Sequence, residues 1–140
     1  MAAYLVLEYA GGGDLHSLIK ERVKIYNETS QTGPIFRDIE VSTLITSLLH
    51  GLLYLHDRDV VHRDIKPENI LLLASRDLTR MKIADFGLSA QFKYTDVKTL
   101  KGKCGTLTYM APEILEGQAY TKKVDLYSIG IIMWMCLIGS

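Results

Sequence analysis

Apolar positions fall along this chain in several distinct patterns, and each pattern predicts a different element. Tyr4 to Tyr9 (YLVLEY) is an aliphatic and aromatic run closed by Gly11, Gly12 and Gly13, which predicts a buried strand. Asp14 stands where a carboxylate caps a helix. Leu15, Leu18 and Ile19 then share one face, predicting a short helix over about 15–23. Residues 27–34 are polar and turn-forming and predict a loop. From about 35 to 57 apolar residues recur at helical spacing (Ile39, Leu44, Ile45, Leu48, Leu49, Leu52, Leu53, Leu55), predicting a long, well-buried helix. Residues 70–73 and 81–84 predict two short strands joined by a charged turn over 75–80. Residues 91–103 are rich in lysine and poor in apolar side chains, the composition of a mobile surface segment. Residues 123–138 are so continuously apolar that they predict a last helix buried on most sides.

Composition narrows the class. The chain has 140 residues and is 48% apolar, the size and content of one globular domain. Sixteen basic residues balance sixteen acidic ones, so charge gives no reason to expect a nucleic-acid or membrane partner. Cys104 and Cys136 lie far apart without metal-ligand spacing and read as free thiols of a cytoplasmic or nuclear protein. Residues 1–10 lack the basic start of a signal peptide, and Glu8 interrupts them. Residues 129–138 fall far short of the ~20 that a membrane helix needs. Asn27-Glu28-Thr29 has the form of a glycosylation sequon but reads as an ordinary polar loop.

The chemistry is concentrated in His62-Arg63-Asp64-Ile65-Lys66-Pro67-Glu68-Asn69. One short loop holds a carboxylate, fixed positive charge and an amide. Phosphoryl transfer needs those parts: a group to orient the attacking hydroxyl, a charge to neutralise the moving phosphate and an oxygen ligand for a metal. Asp85-Phe86-Gly87 and Ala111-Pro112-Glu113 follow in order. With these three motifs the chain resembles the eukaryotic protein kinases of serine/threonine type. The sequence around Cys104-Gly105-Thr106 tilts the resemblance toward the calmodulin-dependent-kinase-like group, although no calmodulin-binding segment is present.

The resemblance implies an α+β, mainly helical, protein-kinase-like fold. It covers residues 1–140: the last small-lobe strand and hinge at 1–13, then most of a large lobe at 14–140, with the small lobe largely absent. The glycines at 11–13 lack G-x-G-x-x-G spacing, and no strand lysine of the Val-Ala-Ile-Lys type follows them.

The resemblance also implies roles. Asp64 would be the catalytic base, Lys66 would reach the transferred phosphate and mark a serine/threonine substrate, and Thr106 would bond both. Asn69 and Asp85 would hold Mg²⁺, a hard ion content with few protein oxygens. Glu8 and Ala10 would offer backbone groups to the adenine of ATP, with Leu7 guarding the deeper pocket and Leu71 beneath the ring. Asp14 would lie near the ribose. Asp14 and Glu68 would also meet basic residues upstream of the target in a protein substrate. His62 and Phe86 would stack as packing residues. Asp125 would brace the catalytic loop through backbone N–H groups. Arg63 would receive an activation-segment phosphate placed by an upstream kinase, with Thr95 and Thr99 as acceptors and Tyr94 behind them. Many relatives carry a hydroxyl two residues before Cys104, where this chain has Gly102, so the choice is phosphate at Thr99 or no phosphate at all. Glu113 would lack the arginine that normally pairs with it. His16, His50 and His56 read as ordinary core or surface histidines.

Two functions follow. The first is an ATP-dependent serine/threonine kinase whose 140 residues, without the phosphate-covering loop, are inactive alone. The second is a non-catalytic kinase-like binding or scaffold module, against which intact Asp64, Lys66, Asn69 and Asp85 argue.

Overall fold

The computed structural model describes residues 4–29, 33–92 and 99–138. Helix α1 (Leu15–Thr29) and helix α2 (Asp38–His56) come first. Four short strands follow: β1 (Val60–Val61), β2 (Ile70–Leu72), β3 (Met81–Ile83) and β4 (Ala90–Gln91). A short helix α3 (Pro112–Leu115) and the long helix α4 (Lys123–Ile138) close the chain. Single 3₁₀ turns lie at Pro67–Asn69 and Leu107–Tyr109. The mainly helical α+β expectation is met.

Strands β2 and β3 pair antiparallel, Ile70 opposite Ile83 and Leu72 opposite Met81, and β1 pairs with β4, Val61 opposite Ala90. These two hairpin-like ladders flank the 62–69 loop and the 84–89 loop. They hold both loops on one side of α2. The core lies between α1, α2 and α4. Leu15, Leu18 and Ile19 meet Leu44, Leu48 and Leu52, with Ile129, Ile132 and Cys136 from α4 behind them. A second, smaller cluster (Val61, Ala111, Ile114, Tyr120, Val124) sits under the loop that follows β4.

A three-way contact fixes α1 against α2. Arg22 Nη2 donates to Glu40 Oε1 at 2.8 Å while its guanidinium lies 4.3 Å from the centre of the buried Phe36 ring. Glu40 also accepts the Arg37 N–H at 2.9 Å, satisfying one of the amides at the start of α2. Arg22, with the Arg37 N–H and the Arg37 side chain, holds the Glu40 carboxyl down at about 2; the Arg22 bond is the largest influence, and partial burial works against it.

Several expectations need correction. Residues 4–9 form no strand: Tyr4, Val6 and Tyr9 are exposed, and no described strand forms a backbone ladder with this run. Strand propensity without a ladder partner leaves the backbone groups to solvent. Helix α1 runs six residues past position 23 and absorbs the sequon. Lys24 and Glu28 pair one turn apart at 3.8 Å, and Thr29 Oγ1 donates back to the Ile25 carbonyl. Helix α2 starts three residues late, at Asp38, because residues 35 and 36 bend and Arg37 before it is extended. Only the stripe Val41, Leu44, Leu48, Leu52 and His56 of α2 is buried, while Ile39 and Leu53 face outward. Helix α4 likewise leaves Leu126, Trp134 and Ile138 half exposed rather than buried on most sides. In the 91–103 segment, Leu100 bridges to Tyr120 and anchors its second half; residues 93–98 lie outside the described residues.

Candidate active site

Asp64 collects the site around it. It follows Arg63, which is held in a left-handed conformation (φ 68°) that turns the chain sharply out of β1. The side chain is buried, and four donors reach it. Oδ1 accepts the Thr106 N–H at 2.9 Å and the Thr106 Oγ1 hydroxyl at 2.8 Å. Oδ2 lies 2.8 Å from Lys66 Nζ and accepts Asn69 Nδ2 at 3.2 Å. Lys66 Nζ also donates to Thr106 Oγ1 at 2.9 Å, closing a ring of three side chains. Burial pushes the Asp64 carboxyl up, but the bonds from Lys66 and Thr106 together outweigh it and hold the carboxyl below its ordinary range. Asp64 is therefore a carboxylate at neutral pH.

Two of the three Lys66 ammonium hydrogens are used within this ring, and one remains for an anion. Asn69 spends both visible contacts through Nδ2, on the Asp64 carbonyl at 2.9 Å and on Oδ2. Its Oδ1 is thus the atom left to meet a cation. The β2–β3 register sets Asn69 opposite Ala84, whose N–H donates to the Asn69 carbonyl at 2.8 Å. Asp85 is the next residue. It is exposed, held at φ 63°, and its Oδ1 accepts the Gly87 N–H at 3.1 Å. One amide oxygen and one neighbouring carboxylate form an all-oxygen pair, which fits Mg²⁺ because that ion keeps several waters. Among the described residues no cluster of three or more His, Cys, Asp or Glu offers a fuller cage.

Asp125 underpins the loop. Completely buried at the start of α4, it accepts the His62 N–H at 2.9 Å and the Arg63 N–H at 2.8 Å. His56, at the end of α2, adds a third bond from Nε2 at 2.9 Å. His62 Nε2 donates to the Ala84 carbonyl at 3.0 Å, and the Phe86 ring meets His62 edge-on at 5.0 Å. The start of the 62–69 loop is thereby tied to the chain just before Asp85.

The nucleotide-side residues are distributed as follows. Asp14 bridges to Leu71, and Gly12 and Gly13 exchange backbone bonds with Leu72, so the 10–14 turn lies against β2. A Cβ on Gly12 would come within 2.4 Å of the Ala74 carbonyl, and only glycine permits that approach. Both carboxylate oxygens of Asp14 are occupied by the Ser17 N–H and hydroxyl, capping α1. The Glu8 side chain pairs with Lys82 at 3.2 Å, while the Glu8 and Ala10 backbone groups bond to no other described residue. Glu68 is exposed and lies 3.6 Å from His16. Thr99 is exposed; Thr95 and Tyr94 fall outside the described residues. Glu113 makes no side-chain ion pair among the described residues.

Three contributors to this geometry carry little signal in the sequence. His56 sits on the buried stripe of α2 four residues after Leu52, a spacing that marks it as core-facing but gives no hint of a partner 69 residues away. Gly105, at φ 107°, passes so close to Arg63 that a Cβ would stand 2.4 Å from its carbonyl oxygen. Tyr120 is a lone tyrosine in a polar stretch, and its hydroxyl reaches Arg63.

The family description "Protein kinase domain" matches residues 1–140. The chain is 41% identical over 137 residues to serine/threonine-protein kinase DCLK3 of Mus musculus, covering 97% of this chain and 15% of that protein. It is 39% identical over 143 residues to the ovarian-specific serine/threonine-protein kinase Lok of Drosophila melanogaster, covering 99% and 27%. It is 40% identical over 137 residues to an Aurora kinase of Patiria pectinifera, covering 98% and 30%. The chain thus spans less than a third of the length of these curated relatives.

Proposed function

The chain belongs to the protein kinase domain family, and from that premise we propose that its gene product transfers the γ-phosphoryl group of Mg-ATP to serine or threonine hydroxyls of a protein substrate. The observation that carries this reading is the convergence of Lys66, Thr106 and Asn69 on the Asp64 carboxylate.

All four acceptor positions of Asp64 are filled in this state. A substrate hydroxyl needs one of them. Lys66 is the partner able to leave, because its ammonium is on a flexible stem and is drawn toward a phosphate. When it turns, an Oδ2 position opens for the hydroxyl, and Thr106 keeps Oδ1 oriented. Asp64 then orients the hydroxyl and accepts its proton. Asn69 Oδ1 and Asp85 are the groups that would hold the metal. Bound Mg²⁺ supplies charge neutralisation at the phosphate oxygens. Glu8 and Ala10 would meet the adenine edge and Leu71 its face.

Substrate preference is read from exposed acids. Glu68 suits a basic residue upstream of the target, whereas Asp14 is committed to capping α1. The calmodulin-dependent-kinase-like subgroup and a cytoplasmic or nuclear location belong to the same proposal, as does the division into a hinge at 1–13 and a large-lobe portion at 14–140. The 140 residues hold no phosphate-covering loop and no strand lysine. Alone they would leave the γ-phosphate poorly positioned. We expect the full-length product to phosphorylate a basic serine/threonine peptide and the isolated 140 residues to be inactive. Asp64→Asn should lower kcat by about 10²–10⁴-fold, with the KM for ATP nearly unchanged. Full activity in Asp64→Asn would refute the assignment of the base.

A further inference from the structure

Tyr120 lies between α3 and α4, and nothing in the chemistry above uses it. It is almost completely buried. Its backbone pairs with Leu100 in both directions, at 2.7 and 2.9 Å. Its ring belongs to the cluster with Val61, Ala111, Ile114 and Val124. Its hydroxyl stands at a junction. Arg63 Nη1 donates to it at 3.3 Å, it donates to the Gly102 carbonyl at 3.1 Å, and Cys104 Sγ lies 3.7 Å away. Arg63 Nε meanwhile donates to the Leu88 carbonyl at 2.6 Å. The guanidinium therefore joins the segment after Asp85-Phe86-Gly87 to the segment before Thr106, with the phenol as the link.

We propose that Tyr120 is a positioning residue of the active site, whose hydroxyl ties Arg63 to the Gly102 carbonyl and holds residues 100–106 in place without a phosphate. The close pass of Gly105 over the Arg63 carbonyl shows how tightly the segment must lie for Thr106 to reach Asp64. Gly102 offers no hydroxyl for phosphorylation, and two of the five Arg63 N–H donors already hold the Leu88 carbonyl and the Tyr120 hydroxyl. The kinetic part of this proposal rests on the phosphoryl-transfer reading; the structural part does not.

The test uses the full-length product with Tyr120→Phe, which keeps the ring and removes one oxygen. Losing the hydroxyl should speed amide hydrogen exchange at residues 100–106 and lower kcat, each by about tenfold, with the KM for ATP unchanged. Phosphatase-treated wild type should keep its kcat. The proposal falls if Tyr120→Phe exchanges and turns over like wild type, or if phosphatase abolishes wild-type activity. Asp64→Asn is measured alongside. If wild type is as inactive as Asp64→Asn, the phosphoryl-transfer reading fails, and the exchange result alone decides the role of Tyr120.

Discussion

Asp125 accepts three hydrogen bonds with no solvent contact, two from the loop that carries Asp64 and one from His56. Removing the carboxylate strands two backbone N–H groups and a histidine in a dry site. Asp125→Ala should cost about 3–5 kcal/mol, read as a fall in the urea midpoint, and a near-wild-type midpoint would deny it this bracing role. At this scale the sequence was legible where the chemistry is local. His62 to Asn69 spell out their own loop, and Asp85 stands two residues past β3, the strand that brings it to Asn69. It was silent where partners are remote. Nothing near His56 names Asp125, and nothing near Tyr120 names Arg63, because those pairings exist only once α2, α4 and the loops have packed.

Between elements, the Arg22–Phe36–Glu40 contact gives a pH signature to the α1–α2 junction. The Glu40 carboxyl falls from an ordinary 4.5 to about 2 in the folded chain. A carboxyl lowered by folding adds stability above its unfolded value and loses it as pH falls through its folded one. The contribution, on the order of 2 kcal/mol after allowing for screening, should be complete above about pH 4.5 and gone near pH 2. Asp77, also held at about 2 by Thr79 and Arg80, titrates in the same window, so the difference between wild type and Arg22→Met is the quantity to measure. That difference should shrink on acidification through this range; a constant one would place the stability of the junction elsewhere. Helix periodicity located α1, α2 and α4 from sequence. It misjudged the end of α1, where a salt bridge and a threonine back-bond carry the helix onward. It also misjudged burial, because an apolar residue faces the core only if another element arrives to cover it.

Over the whole molecule, the uncovered apolar surface has its own consequences. Leu126, Tyr127, Met133, Trp134, Leu137 and Ile138 come in pairs that recur seven and then four residues on, along one side of α4, and all are at least 39% exposed. A stripe of that extent favours self-association. Purified alone, the 140 residues should sediment as oligomers, and the pair Trp134→Lys with Leu137→Glu should shift them toward monomer; unchanged sedimentation would exonerate α4. The bond from Asp125 to the 62–69 loop also has a meaning in time. His62 and its anchor are 63 positions apart, so a ribosome makes His62 roughly 3–13 s before it makes the residue that holds it, at about 5–20 residues per second. During that interval the nascent chain carries every residue of the 62–69 loop but lacks the carboxylate that braces it, so the geometry around Asp64 waits on the synthesis of a distant helix.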